Sequence, residues 1–178
     1  MKHIFILLLL TLSTVSFAQD EATKEHINDD HAAHAVLLGE DGSEVGHAHF
    51  QQGAIGTLMT VKIDNLPEGA KGFHVHSVGT CEHEHGFKTA EGHVGKSDDT
   101  AHGFLNENGP EKGDLPNLYI HEDGTNKTEL FLPQLNVDEL LDEDGSSLMI
   151  HENADDHMTQ PIGGAGARIA CGVIEIKN

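Results

Sequence analysis

Gly72-Phe73-His74-Val75-His76 is the stretch from which the rest of the chain can be read. In a strand, alternate side chains face opposite ways, so Phe73 and Val75 can enter a core while His74 and His76 present two imidazoles together. The same spacing recurs in Gly46-His47-Ala48-His49-Phe50, where a solvated strand face is the plain reading. Residues further along the chain separate the two pairs. Cys81, His93, His102 and Asp114 come soon after His76, and His151, Arg168 and Cys171 lie further on.

On both sides the chain breaks into short segments punctuated by turns. Residues 35–38 end at Glu40-Asp41-Gly42-Ser43, and residues 59–64 alternate with Met59, Val61 and Ile63 on one face. Asn65-Leu66-Pro67-Glu68-Gly69 then turns the chain into the His74 strand. Residues 117–121, 128–132, 147–151 and 168–176 read as later strands, and 137–141 as a helical turn. About eight short strands predict an all-β fold, an antiparallel Greek-key sandwich or barrel. Residues 77–116 and 152–167 interrupt the rhythm as two long loops. Loops of that length in a compact domain are functional or disordered as a rule, and these carry the ligand-type residues.

The N-terminus reads differently. Met1-Lys2-His3 is basic, residues 4–17 are largely apolar, and Ser16-Phe17-Ala18 fits a small-x-small cleavage site, so residues 1–18 are expected to be a signal peptide. The apolar run is short for a membrane span, and export to the periplasm or the cell exterior is expected. Residues 19–34, acidic and carrying His26, His31 and His34, are expected to form a flexible tail before a domain at 35–178. In an oxidising compartment the two cysteines, Cys81 and Cys171, are most simply a disulfide; two thiolate metal ligands are the rival account. A disulfide there closes a loop worth roughly 4–5 kcal/mol in the chain-entropy model.

The formal charge of −20 argues against nucleic acid and anionic membranes as partners. It also repels small anions at long range. The glycine-rich Pro161-Ile162-Gly163-Gly164-Ala165-Gly166-Ala167-Arg168 lacks the Lys-Ser/Thr ending of a phosphate loop. Asp142-Glu143-Asp144-Gly145-Ser146-Ser147 lacks the acidic spacing of a calcium loop.

Gly72 to Cys81, the spaced His93 and His102, Gly113-Asp114-Leu115-Pro116-Asn117, His151 to Asp156 and Gly163 to Ile174 occur in an order that resembles the copper/zinc superoxide dismutase family in its bacterial exported form. The resemblance implies dismutation of superoxide to dioxygen and hydrogen peroxide at a copper that cycles between two oxidation states. It places His74, His76, His93 and His151 on copper, and nitrogen donors suit Cu(II). His93, His102 and Asp114 match zinc ligands, with His93 shared by both metals and delivering a proton in the reduced half-cycle. Asp155 matches the carboxylate that links a copper His to a zinc His, while Asp156 reads as structural. Arg168 matches the residue that guides the anion to copper, and Lys88, Lys96 and Lys112 are candidates for extra guidance.

One ligand departs from the pattern. Where the family has a further zinc His, this chain has Glu111 in Gly109-Pro110-Glu111-Lys112-Gly113-Asp114. Either Glu111 completes a site of two His and two carboxylates, or it is an exposed loop carboxylate and His83, His85 or His121 swings in, or zinc is weakly held. Val94-Gly95-Lys96 also departs from the family's aromatic-Asn-Pro continuation after the bridging His, so a less rigid loop is expected. A copper-buffering protein is the rival function, and a homodimer is compatible with the resemblance although no patch in the sequence declares an interface.

Overall fold

The computed structural model describes residues 32–176, so the expected signal peptide and most of the expected tail lie outside the described residues. Nine strands occur in chain order: β1 (Ala32–Gly39), β2 (Glu44–Gln52), β3 (Thr57–Ile63), β4 (Gly69–Lys71), β5 (Phe73–His76), β6 (Leu118–Ile120), β7 (Asn126–Leu132), β8 (Ser146–His151) and β9 (Arg168–Ile176). Seven of them form one curled antiparallel sheet in the order β5-β8-β9-β1-β2-β3-β7, and β4 pairs with β6. Besides two 3-10 turns in the long loop (His83–His85 and Lys88–Ala90), one turn of α-helix, α1 (Val137–Leu140), is closed by reciprocal capping between Asn136 and Glu139. Among the described residues no helix is long and apolar enough to cross a membrane.

Alternation builds the barrel wall. In β3, Thr57, Met59, Val61 and Ile63 face inward while Leu58, Thr60 and Lys62 face outward. In β2, Ala48 and Phe50 are buried, whereas His47 and His49 lie on the outer face with their ring centroids 5.4 Å apart. The solvated reading of that pair is therefore correct. β1 starts earlier than expected: Ala32, Ala33 and His34 belong to the sheet, pairing with Gln51, Phe50 and His49. The two alanines supply buried positions that a polar tail would not, and the rest of the polar run hid them.

β5 and β8 differ from the outer strands in being buried throughout. Phe73 and Val75 enter the core beside Leu148 and Ile150. The polar side of β5 is covered by the long loop, which docks on the free edge of the strand. The Val75 N–H donates to the Gly113 carbonyl (2.8 Å), the Val94 N–H to the Val75 carbonyl (2.9 Å), and the Gly113 N–H to the Val94 carbonyl (2.9 Å). His74 thereby stands opposite Asp114, and His76 opposite His93.

The same loop is pinned elsewhere by the Cys81–Cys171 disulfide, whose partners are 90 residues apart in sequence. That disulfide settles the cysteine question and anchors a small second core of Phe87, Ala90, Met149 and Cys171.

A Cβ on Gly113 would stand 2.2 Å from the Val75 carbonyl oxygen and 2.8 Å from the Val94 nitrogen, both backbone atoms that cannot swing aside. Gly113→Ala is therefore expected to destabilise the fold by about 1–3 kcal/mol, read as a lowered urea midpoint. An unchanged midpoint would mean that the loop does not depend on this close approach.

Candidate metal centre

Eight polar side chains converge under the loops. β5 supplies His74 and His76, and β8 ends on His151. The docked loop brings His93, His102, Glu111 and Asp114, and the loop after β8 brings Asp155. All are buried, none more than 5% exposed. Such burial requires that each polar atom find a partner.

One nitrogen of each of four imidazoles does. His74 Nε2 meets Asp155 Oδ2 at 2.7 Å, and His76 Nδ1–H donates to the Glu91 carbonyl at 2.8 Å. His151 Nδ1–H donates to the Gly166 carbonyl at 3.2 Å. His93 Nδ1 lies 2.9 Å from both Asp114 Oδ1 and Glu111 Oε2. The opposite nitrogens, His74 Nδ1, His76 Nε2, His93 Nε2 and His151 Nε2, are buried without any hydrogen-bond partner. His74, His76 and His151 bring donor atoms within 4.8 Å of one another, and the His93 ring centroid is 4.2 Å from that of His74. Burial pushes His74 down to about 4, His151 to about 3 and His76 to about 2. At neutral pH these rings keep their lone pairs, the form in which imidazole binds a metal.

The second cluster has the opposite electrostatic character. His102 Nδ1 meets Asp114 Oδ1 at 2.8 Å, beside the contacts of His93 with Asp114 and Glu111. Burial opposes charge on His102, but Asp114 and Asp155 outweigh it and raise the ring to about 10. Burial likewise disfavours charge on His93, where Asp114 and Glu111 together prevail and the shift is upward. Against its own burial, Asp114 is held below the ordinary carboxylate range by His102 and His93. The carboxylates draw both rings toward the charged form, and a divalent cation can supply that positive charge in place of protons.

Asp155 joins the two clusters, with Oδ2 on His74 and Oδ1 on His102 Nε2 at 3.1 Å. Its main chain is clamped by Asn117, whose side chain accepts the Asp155 N–H and donates to the Asp155 carbonyl, both at 2.8 Å. Asp156 instead caps a turn through the amides of Met158 and Thr159, a structural part.

Glu111 is buried against His93 and is not an exposed loop carboxylate. His85 and His121 are exposed, His83 packs beneath Gly42, and none of the three joins either cluster. Arg168 donates from Nη1 to the Phe87 carbonyl (2.5 Å) and from Nη2 to the Glu91 carbonyl (2.6 Å). With His76, His93, Lys88, Lys96 and Glu91 it lines a cavity of about 310 Å³. Lys112 is not among the lining residues and pairs with Glu139 at 2.6 Å. The roles of Asn117 and of the Glu91 carbonyl were not legible in the sequence, since a main-chain acceptor leaves no residue signature.

A family model for copper/zinc superoxide dismutase matches residues 44–174. The chain is 40% identical over 150 residues to a Cu-Zn superoxide dismutase of Caulobacter vibrioides, covering 81% of this chain and 86% of that one. It is 38% identical to the Cu-Zn superoxide dismutase of Legionella pneumophila over 84% of this chain and 89% of the relative. Among solved structures, Cu/Zn superoxide dismutase from Brucella abortus superposes with a TM-score of 0.67 at 30% identity, over 81% of this chain and 99% of that one. A superoxide dismutase-like protein of Bacillus subtilis gives 0.70 at 34%, over 79% and 96%. The matched span contains every donor of both clusters, and the chain belongs to the copper/zinc superoxide dismutase family, whose cofactors are copper and zinc.

Proposed function

We propose that this protein dismutates superoxide to dioxygen and hydrogen peroxide. The observation that carries the reading is the set of four buried, unpartnered ring nitrogens beside a cavity lined by Arg168. His74, His76, His93 and His151 would hold copper, and His93, His102, Asp114 and Glu111 would hold zinc. Copper supplies reversible one-electron chemistry in such a donor set, and zinc supplies fixed positive charge.

The chain's own groups do the rest. Asp155 and the Glu91 and Gly166 carbonyls orient the copper-side rings, so that each aims one fixed nitrogen inward. His93 is suited to hold a proton at Nε2, the ring nitrogen that no other group in the site engages, and to pass it to the anion being reduced. Two main-chain carbonyls fix the Arg168 guanidinium and leave further N–H groups to receive a small anion. Glu111 serves as the fourth zinc donor, supported by its burial beside Asp114. A copper-buffering protein would need neither Arg168 nor the cavity, which favours the enzyme. The disulfide and the apolar N-terminal run support export.

The direct test is superoxide decay by protein loaded with copper and zinc, counted per bound metal. His74→Ala is expected to abolish it, and decay no faster than that of free copper with both metals bound would sink the proposal. Arg168→Ala should retain copper yet slow turnover at least ~10-fold, the lower range of electrostatic guidance; an unchanged rate would remove Arg168 from the mechanism. Glu111→Gln should weaken zinc at least ~10-fold in competition with a chromogenic chelator while copper stays bound. Equal zinc affinity in that variant would exclude Glu111 as a donor.

A further inference from the structure

Glu91 occupies a main-chain conformation that glycine adopts freely and other residues avoid, with φ 61° and ψ −142°. Such a conformation persists where the surroundings over-determine it, and here they do. The Glu91 N–H donates to the Lys88 carbonyl at 3.2 Å, and the Glu91 carbonyl accepts both His76 Nδ1–H (2.8 Å) and Arg168 Nη2–H (2.6 Å). All of these contacts are made by main-chain atoms of Glu91. Glycine would make them without strain, so they do not account for a glutamate.

The side chain has a setting of its own. Glu91 is exposed and lines the cavity shared by Arg168, Lys88 and Lys96. Its carboxylate acts on the Arg168 guanidinium, opposing the effect of burial there. It is thus the exposed one of two carboxylates, beside the buried Glu111, in a cavity also lined by the cations Arg168, Lys88 and Lys96.

We propose that Glu91 sets the anion specificity of the cavity: its carboxylate offsets part of the field of Arg168, Lys88 and Lys96 and disfavours dianions over monoanions. Repulsion scales with the charge of the visitor. In water, one unit charge at roughly 8–10 Å changes the occupancy of a monoanion about 2-fold and that of a dianion about 4-fold. A monoanionic substrate then enters at small cost, while abundant dianions such as hydrogen phosphate are held back. Naming that substrate superoxide rests on the dismutase reading, whereas the charge effect applies to any small anion.

The test uses copper- and zinc-loaded protein as wild type, E91Q, E91K and E91G, with azide affinity read from copper absorbance and phosphate as its competitor. At about 10 mM ionic strength, E91Q should bind azide about 2-fold tighter and phosphate about 4-fold tighter, with E91K further along the same series. The differences should shrink at about 0.15 M salt. E91G should raise the thermal midpoint by about 3–8 °C through relief of strain, and E91Q should leave it in place. Azide and phosphate affinities equal to wild type in E91Q and E91K would overturn the assignment, and an E91G midpoint at or below wild type would overturn the strain argument. Anion affinities that follow the charge series in a protein without superoxide decay would uphold Glu91 and sink the dismutase reading.

Discussion

The polar face of β5 can be buried only if something both covers it and answers its imidazoles. His74 and His76 point away from the apolar core that Phe73 and Val75 enter, so the strand has two incompatible sides. The long loop resolves this by pairing with the strand's free edge through Gly113 and Val94, which places Asp114 opposite His74 and His93 opposite His76. The donor clusters are thus a consequence of sheet pairing. The disulfide and the small core around Phe87 hold the far end of the same loop and so fix where the Phe87 and Glu91 carbonyls lie. Those carbonyls in turn orient His76 and Arg168.

Within the site the hydrogen-bond pattern sorts the rings by charge. Where the outer nitrogen meets a main-chain carbonyl, as in His76 and His151, burial dominates and the ring stays neutral. With two carboxylates close by, as in His93 and His102, the ring is driven toward the charged form. His74 has Asp155 alone, and burial still prevails. The contrast explains how neighbouring imidazoles can serve cations of different chemistry. One set offers neutral nitrogen, and the other offers nitrogen together with anionic oxygen. Asp155 touches both sets, so one carboxylate orients a ring in each.

Much of this was legible in the sequence because alternation and ligand spacing are local properties. The inward set of β3, the outward His47 and His49, and the capped turn at Val137–Leu140 arise from nearest-neighbour pattern alone. What stayed hidden depends on tertiary contacts. Ala32 and Ala33 read as tail because two alanines after acidic residues carry no period, and only pairing with β2 and β9 shows them as strand. Glu111 read equally well as exposed or as a ligand, and its burial beside His93 depends on the docked loop. Lys112 read as a candidate guide, and its capture by Glu139 depends on a helical turn distant in sequence. Asn117 was visible in a motif, but its clamp on Asp155 was not.

A chain with a formal charge of −20 is a poor attractor of anions when seen from afar. Near the cavity the sum is different. Screening limits each charge to roughly 8–10 Å at physiological salt, so distant carboxylates lose their influence while Arg168, Lys88 and Lys96 stay within range of a small anion at the mouth. Lys112 is paired with Glu139 outside the cavity lining, and the Glu91 and Glu111 carboxylates stand among the cations within it. On the proposed reading the cavity draws anions by local contrast against an acidic surface. Main-chain carbonyls of the docked loop hold Arg168 in place, so the loop that delivers the imidazoles also dictates where the cavity's guanidinium stands, and the proposed anion affinity depends on that placement.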